Sequence, residues 1–220
     1  MMLNDVLTES TTRLGEVRSF LTMIAHLSPS PRSKYHRNAT VGKGLFFVNL
    51  YGAYEYTIVT TVQRTIQTFN SMQCTISDCK PVLLSLVLDP KCKAVASVGR
   101  NRMWDTRWAL FDTAHSSDVA QIDETVIPTD GQNLKYLQLC SIWKTFCLSD
   151  PVLPRPALQG RISELVENRN AIAHGREAAA TIGSRYSISE LQTRLSDIDE
   201  VCTYVVQTFD DYLVSGGFLR

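Results

Sequence analysis

The sequence predicts an all-α protein folded as an antiparallel helical bundle. Of its 220 residues, 44% are hydrophobic, which is enough to bury one substantial core. Only 11 glycines and 8 prolines are present, so the chain lacks the many turns that a fold of short strands requires. In several long segments apolar residues recur at intervals of three and four, which is the period of a helix buried on one face. We therefore expect one domain spanning residues 1–220.

Two long amphipathic helices are predicted in the first third of the chain. Apolar spacing places the first at residues 5–27, and it should end at the Ser-Pro-Ser-Pro segment of residues 28–31. Residues 32–43 hold four cationic side chains and no apolar pattern, which predicts a solvated connector. The second helix is predicted over residues 45–69 despite its many threonines and valines, and it should form the spine of the core.

Residues 72–129 are predicted to form an irregular insertion between core helices. The apolar run at residues 82–88 could be a buried helix or a strand, because periodicity does not distinguish the two at that length. Both interpretations stay open at this point. The dipeptide Asp130-Gly131 marks a turn after the insertion.

The insertion contains a mixture of arginine and tryptophan. Arg100, Arg102 and Arg107 alternate with Trp104 and Trp108. Such a mixture could stack nucleic-acid bases while holding phosphates. A loop that is pinned by the two tryptophans and leaves its arginines solvated is the commoner arrangement, and it is the one we predict.

Three further helices are predicted in the second half of the chain. Apolar spacing indicates a helix over about residues 134–146, and three prolines between residues 151 and 156 indicate a loop. Another helix should run from about residue 156 to residue 174. The last helix has the clearest start, because Ser187 and Glu190 have the spacing of a capping box.

The charge balance excludes a protein that holds nucleic acid through a broad basic surface. Twenty-two lysines and arginines are balanced by twenty-two aspartates and glutamates, so the formal net charge is zero. Electrostatic binding of a polyanion depends on clustered positive charge. Any contact with a nucleic acid must therefore be local.

Cysteine usage and the absence of long apolar runs predict a cytoplasmic protein. The six cysteines are scattered and form no C-x2-C pair, and no H-x3-H pair occurs, so we expect reduced thiols and neither a metal nor another cofactor. The first ten residues carry no apolar run typical of a signal peptide. No stretch of 18 apolar residues is present, so no contact with a membrane is expected.

The stretch from Glu167 to Gly175 carries the residues that suggest chemistry. Arg169 lies four residues after Leu165, so a guanidinium occupies a position that the apolar stripe would normally fill. Asn170 and His174 are four residues apart and share a face, whereas Arg169 and His174 diverge by roughly 140° around the helix axis. One helix therefore does not easily direct both groups at one atom, but two copies related by a two-fold axis could.

Paired arginines and histidines suit the cleavage of RNA without a metal. A 2′-hydroxyl that attacks its own phosphate needs a base for its proton, an acid for the leaving 5′-oxygen and positive charge beside the phosphorane. Histidine titrates near neutrality and can take either proton role. Arginine stays charged and can bind a phosphate through two donors.

The segment Leu-Val-Glu-Asn-Arg-Asn-Ala-Ile-Ala-His-Gly of residues 165–175 resembles the R-x4–6-H signature of the HEPN superfamily, the higher eukaryote and prokaryote nucleotide-binding domains. Residues 50–56 are similar to the long helix that precedes this motif in the nuclease-like prokaryotic branches. The resemblance implies a helical bundle that dimerises with its two motifs face to face. Many such proteins are metal-independent endoribonucleases of toxin–antitoxin, phage-defence or RNA-processing systems.

The resemblance also implies roles for individual residues and partners. Arg169 would bind and stabilise the phosphate, His174 would be the acid–base group, and Asn170 would orient them. RNA would be the substrate, a second copy of the chain would complete the site, and an antitoxin or another defence protein could be a partner. Other members of the superfamily only bind nucleotides or dimerise, so a non-catalytic module that acts with a partner protein is the alternative. An antitoxin-like subunit whose activity lies in its partner is a third reading.

Several of these residues also have structural interpretations. His174 could be a helix-end cation favoured by the helix dipole. Glu55 interrupts an apolar helix face, and we predict that it anchors Arg169 from behind and does not carry protons, because a carboxylate paired with a guanidinium keeps a low pKa. Arg176, two residues after His174, could contact the substrate or could be an exposed loop charge.

Overall fold

The protein, as a computed structural model that describes residues 1–27, 34–129, 131 and 133–220, is a helical bundle. The all-α prediction is confirmed, since β-pairing in the described ranges is limited to the isolated bridges Thr75–Val119 and Cys79–Leu219. Two short 3-10 helices occupy Ile76–Asp78 and Arg100–Arg102. The α-helices are α1 (Asn4–Leu27), α2 (His36–Ser71), α3 (Leu84–Val87), α4 (Asp89–Ser97), α5 (Met103–Ala114), α6 (Tyr136–Thr145), α7 (Leu158–Ala173), α8 (Ala179–Gly183) and α9 (Ile188–Val214).

Helix α2 is the spine of the bundle, as predicted. It is 36 residues long and packs against α1, α7, α8 and α9. Thr57, Thr61 and Thr65 lie on its buried face, and each hydroxyl donates to the carbonyl four residues earlier at 2.7 to 2.8 Å. These bonds satisfy the hydroxyls inside the core, so β-branched polar residues are tolerated there.

The prediction of a solvated connector over residues 32–43 is wrong for residues 36–43, which form the first two turns of α2. Ala39, Gly42 and Gly44 are buried on this part of the helix. Small residues bring the helix backbone close to its neighbours, but they add little to an apolar pattern, so the helix is not visible in the hydrophobic periodicity. The predicted stop at residues 28–31 and the turn residue Asp130 lie outside the described residues.

Helices α2 and α8 cross through two glycines. A Cβ atom added to Gly44 would lie 2.0 Å from the carbonyl oxygen of Ala179, and one added to Gly183 would lie 1.9 Å from the carbonyl oxygen of Thr40. Both distances are far shorter than any real contact, so the two backbones are in direct contact at this crossing. Because α8 follows the Arg-Asn-x3-His segment closely, the crossing fixes the chain just beyond it.

The predicted helix ends of α7 and α9 agree with the structure. Helix α7 ends where Gly175 adopts a φ of +67°, the left-handed conformation of a C-terminal cap. At the start of α9, Ser187 Oγ accepts from the Glu190 backbone N–H at 3.3 Å, and the Ser187 backbone N–H donates to Glu190 Oε2 at 2.7 Å. This reciprocal pair is the predicted capping box.

The insertion of residues 72–129 is largely helical. The apolar run at residues 82–88 includes α3, so of the two structures considered for this run it adopts the helix. Helices α4 and α5 form an α4–α5 hairpin, residues 89–115, and neither helix contains a buried residue. The prediction that two tryptophans pin a loop is wrong, because Trp104 and Trp108 lie on α5 with exposed fractions of 57% and 59%.

Candidate active site

Helix α7 places Arg169 and Asn170 side by side near its C-terminal end. Arg169 Nη1 donates to Asn170 Oδ1 and to Asn133 Oδ1, both at 2.9 Å. Asn170 is buried, and Asn133 belongs to the loop that precedes α6. The two amide oxygens hold one edge of the guanidinium without neutralising its charge.

An aromatic ring of the central helix α2 supports the same guanidinium. The Arg169 guanidinium carbon lies 4.5 Å from the centroid of the Tyr51 ring, which is the geometry of a cation–π contact. The Tyr51 hydroxyl donates to Glu55 Oε1 at 2.8 Å and accepts from the Leu134 backbone N–H at 3.3 Å. Burial, aided by the bond to Glu55, raises the pKa of Tyr51 to about 12, so the phenol stays neutral across the physiological range.

Glu55 reaches Arg169 only through Tyr51. The ion pair considered from the sequence is not formed, because the Tyr51 hydroxyl takes the Glu55 carboxylate and its ring lies against the guanidinium. Glu55 therefore orients the tyrosine that contacts Arg169. This chain of contacts follows the four-residue spacing of Tyr51 and Glu55 on one face of α2.

The donors of Arg169 that point away from these amides are available to a ligand. Among the described residues, only Nη1 makes hydrogen bonds, so Nε and Nη2 are unpaired. The side chain is half-buried, which weakens the screening of its charge by water. Two free N–H directions on a fixed guanidinium match the oxygens of a phosphate.

His174 is the C-cap residue of α7, and its side chain is exposed. Its backbone N–H donates to the Asn170 carbonyl at 3.0 Å, which closes the last turn of the helix. The imidazole makes no hydrogen bond or ion pair with any residue that the structure describes. The structure therefore joins Arg169 to Asn170 but leaves His174 unconnected to either side chain within one protomer.

Arg176 is engaged by a carboxylate. Its Nη2 lies 3.1 Å from Glu167 Oε1, and the two side chains are 55% and 61% exposed. Pairs this exposed are weak, because water screens them and both side chains lose entropy. Arg176 is thus held only loosely on the surface beside the end of α7.

The other side of α7 is anchored by a polar network. Asn168 Nδ2 donates to the Tyr186 hydroxyl at 3.0 Å, and that hydroxyl donates to Glu164 Oε1 at 3.0 Å. Arg194 from α9 donates to the same carboxylate oxygen through Nη2 at 2.9 Å. The network connects α7 to α9 and to the segment just before α9, which contains Tyr186. The helix that carries the site therefore has a rigid support.

The sequence did not predict two residues that contact Arg169, namely Asn133 and Tyr51. Tyr51 is part of the apolar stripe of α2, and its spacing to Glu55 is the only signal of a polar task. Asn133 lies 36 residues before Arg169 in an irregular loop, and no local pattern marks it. Only the fold brings that loop to the end of α7.

The described residues form neither a metal-binding cluster nor a membrane-spanning helix. No group of three or more His, Cys, Asp or Glu side chains in the described ranges is arranged to hold a metal ion. No helix in the same ranges is long and apolar enough to span a membrane. All six cysteines are free thiols in the structure.

The fold and the site define a class: an all-α bundle domain with an Arg-Asn-x3-His motif at the C-terminal end of a core helix. The chain belongs to the HEPN superfamily, since the family described as HEPN_MAE_28990-like HEPN matches residues 2–217. No curated protein and no solved structure matches the chain.

Proposed function

We propose that the protein is a metal-independent endoribonuclease whose active site is shared by the two chains of a homodimer. HEPN domains are often nucleases or nucleotide-binding modules. The observation that carries the proposal is the fixed guanidinium of Arg169, with two donor directions free, on the same helix end as the exposed His174. A toxin or a phage-defence enzyme is the cellular role that such an activity suits.

The chemistry is an internal transesterification of RNA. One His174 imidazole takes the proton of a 2′-hydroxyl while the 2′-oxygen bonds to the adjacent phosphorus. The bond from phosphorus to the 5′-oxygen breaks, and the imidazolium of the second His174 donates a proton to that oxygen. Arg169 binds the non-bridging oxygens, where negative charge accumulates in the phosphorane. The products are a 2′,3′-cyclic phosphate and a 5′-hydroxyl.

The need for a second copy follows from the geometry of one protomer. Arg169 is held on its buried side by Asn170, Asn133 and Tyr51, whereas the His174 imidazole is exposed and has no side-chain partner among the described residues. An acid–base group needs orientation as well as a suitable pKa. A two-fold contact between the ends of two α7 helices would bring two imidazoles and two guanidiniums to one phosphate. Arg176 would then lie at the rim, within reach of the RNA backbone.

A metal-free cleavage assay tests the proposal. Purified protein in EDTA is expected to cut single-stranded RNA, because the mechanism uses only imidazole and guanidinium groups. Mass spectrometry should find fragment 3′-ends one water lighter than a linear phosphate, which is the signature of the cyclic product. An oligonucleotide with 2′-deoxyribose throughout is the matched control and should stay intact. Cleavage that requires added magnesium, or that leaves a 5′-phosphate, contradicts the proposal.

The alternative is a non-catalytic HEPN module that binds a nucleotide or a partner protein. The unpartnered imidazole of His174 favours this reading, since a single protomer shows no group that orients it for proton transfer.

Expression in growing cells separates the enzyme from the module. A nuclease is expected to arrest growth when the wild type is overproduced, and His174→Ala should relieve the arrest because the proton-transfer group is lost. Growth curves and the integrity of total RNA give the measurement, with the two proteins compared at equal abundance. Equal effects of both proteins would support the module and contradict the enzyme.

A further inference from the structure

The α4–α5 hairpin carries an aromatic surface that the bundle does not use. Trp104, Trp108 and Phe111 are spaced by four and three residues on α5, so they form one stripe, and their exposed fractions are 57%, 59% and 64%. The inner side of α5 docks through Leu110 and Ala114, which pack against the core. The largest apolar side chains of this helix therefore face water, although smaller ones from the same helix are packed.

The arginines beside this stripe lack carboxylate partners. Arg100, Arg102 and Arg107 make no ion pair with any residue in the described part of the chain. Eight arginines elsewhere do make such pairs: Arg13, Arg18, Arg64, Arg155, Arg161, Arg176, Arg185 and Arg194. The hairpin of residues 89–115 contains five lysines and arginines against three aspartates, in a chain whose net charge is zero. Its positive charge is thus local and uncompensated.

One of these cations lies against the aromatic stripe. The Trp104 and Trp108 rings lie 6.4 Å apart between centroids and are tilted by 35°, so they present neighbouring π-faces. The Arg107 guanidinium carbon lies 5.2 Å from the centroid of the Trp104 ring. Alternating aromatic faces and cations is the pattern with which proteins bind single-stranded nucleic acid, the rings stacking on bases and the cations following phosphates.

We propose that the α4–α5 hairpin is a binding arm for single-stranded RNA, in which Trp104, Trp108 and Phe111 stack on bases and Arg100, Arg102 and Arg107 bind the backbone. The inference rests on the proposed function for the identity of its ligand as RNA. A protein partner would also cover apolar rings, but the unpaired guanidiniums match an anionic ligand with planar groups.

The arm is separate from the Arg-Asn-x3-His site. The insertion attaches at the C-terminal end of α2, where the Asn70 side chain and the Ile122 backbone exchange two hydrogen bonds at 2.9 Å. Tyr51, which supports Arg169, lies 19 residues earlier on the same helix, a rise of about 28 Å. A stacked strand advances about 3.4 Å per nucleotide, so about eight nucleotides cover a length equal to that rise. Changes in the arm should therefore leave the site intact.

The test is a binding titration with an oligonucleotide that the proposed mechanism cannot cut. A fluorescein-labelled 12-nucleotide oligouridylate, 2′-O-methylated throughout, is titrated with the wild-type protein and followed by anisotropy. Trp104→Ala/Trp108→Ala is expected to raise Kd by at least about 30-fold, because each base stack contributes strongly to binding. Trp104→Phe/Trp108→Phe keeps a ring at each position and should stay within about five-fold of the wild type. The matched control is Met23→Ala/Val214→Ala, which removes two other exposed apolar side chains and should leave Kd unchanged.

Tryptophan quenching and a charge reversal test the arm independently of the alanine variant. Trp143 is buried at 3% exposure, so a loss of acrylamide quenching on addition of the oligonucleotide reports on the two arm tryptophans. Arg107→Glu, with Arg18→Glu as a matched charge change on α1, is expected to raise Kd by at least about ten-fold and to flatten its salt dependence. Arg107→Glu alone decides the question if the double alanine variant does not fold.

Three results would overturn the inference. The first is a Kd of the alanine double variant within three-fold of the wild-type Kd. The second is an equal loss of RNA affinity in the phenylalanine and alanine double variants. The third is a change in the oligomeric state of the alanine double variant, measured by light scattering. The last would make the arm a self-association surface. Cleavage of unmodified RNA is measured separately. If the arm binds RNA but the protein does not cleave it, only the proposed function is refuted. If the protein cleaves RNA and the arm variants cleave it equally well, only this inference is refuted.

Discussion

His174→Ala is expected to lower the rate of RNA cleavage by at least about 10³-fold. General acid–base catalysis by one group typically contributes about 10²- to 10⁴-fold, and in the proposed site the substitution removes both the acid and the base. Stability should change by less than about 1 kcal/mol, because the side chain is exposed and makes no hydrogen bond or ion pair with any described residue. Single-turnover cleavage, thermal unfolding and light scattering give the measurements.

His26→Ala is the matched control for this prediction. His26 is also an exposed histidine in the last turn of a helix, α1, and its imidazole bonds the Thr22 carbonyl at 2.7 Å. That variant should cleave RNA at the wild-type rate. If His174→Ala retains more than a tenth of the activity, or if it no longer dimerises, the imidazole is not the proton-transfer group.

Mixing subunits distinguishes a shared site from two independent ones. An equal mixture of wild type and His174→Ala, allowed to exchange subunits, forms wild-type dimers as about one quarter of the total. Relative to wild-type protein at the same total concentration, a site that needs both imidazoles should retain about a quarter of the cleavage activity. A site that is complete in each protomer should retain about half. A value near one half would refute the composite site even if the protein is a nuclease.

Gly183→Ala is expected to destabilise the fold by at least about 3 kcal/mol. The new Cβ would lie 1.9 Å from the Thr40 carbonyl oxygen and 2.7 Å from the Gly44 nitrogen, so α2 and α8 would have to separate. Overpacking usually costs about 1 to 3 kcal/mol, and here both neighbours are backbone atoms that no rotamer change can move. For a chain of this size Tm should fall by about 6 to 12 °C, as measured by circular dichroism.

Gly15→Ala makes the same substitution without the contact. Gly15 lies inside α1, and a Cβ there would meet nothing within 4 Å. Alanine should raise stability by about 0.5 to 1 kcal/mol, because it restricts the unfolded chain and favours the helix. Opposite signs for the two variants would confirm the close crossing, whereas an unchanged Tm for Gly183→Ala would show that the helices are further apart.

The local patterns of the sequence predicted most of the helices. The capping box at Ser187 and the apolar stripes of α1, α7 and α9 depend on interactions within a few residues, so their structure follows directly from the order of side chains. The same period exposed Arg169 as a charge inside an apolar stripe. That irregularity, together with Asn170 and His174, was sufficient to indicate the superfamily.

The predictions that failed depend on contacts between distant segments. Residues 36–43 read as a solvated connector because glycine and alanine carry little apolar signal, yet they form a helix in which Ala39 and Gly42 are buried. The tryptophans of α5 read as buried because large rings usually are, but Leu110 and Ala114 take the inward face.

The sequence by itself determined the helical class and the position of the Arg-Asn-x3-His motif, since both are encoded by spacing along one chain segment. Only the tertiary structure decided what holds Arg169. Tyr51 comes from the central helix and Asn133 from a loop 36 residues upstream, and their contacts depend on how α2, α7 and that loop pack. Spacing along the chain does not specify such packing, because burial and hydrogen bonding between remote segments are properties of the assembled core.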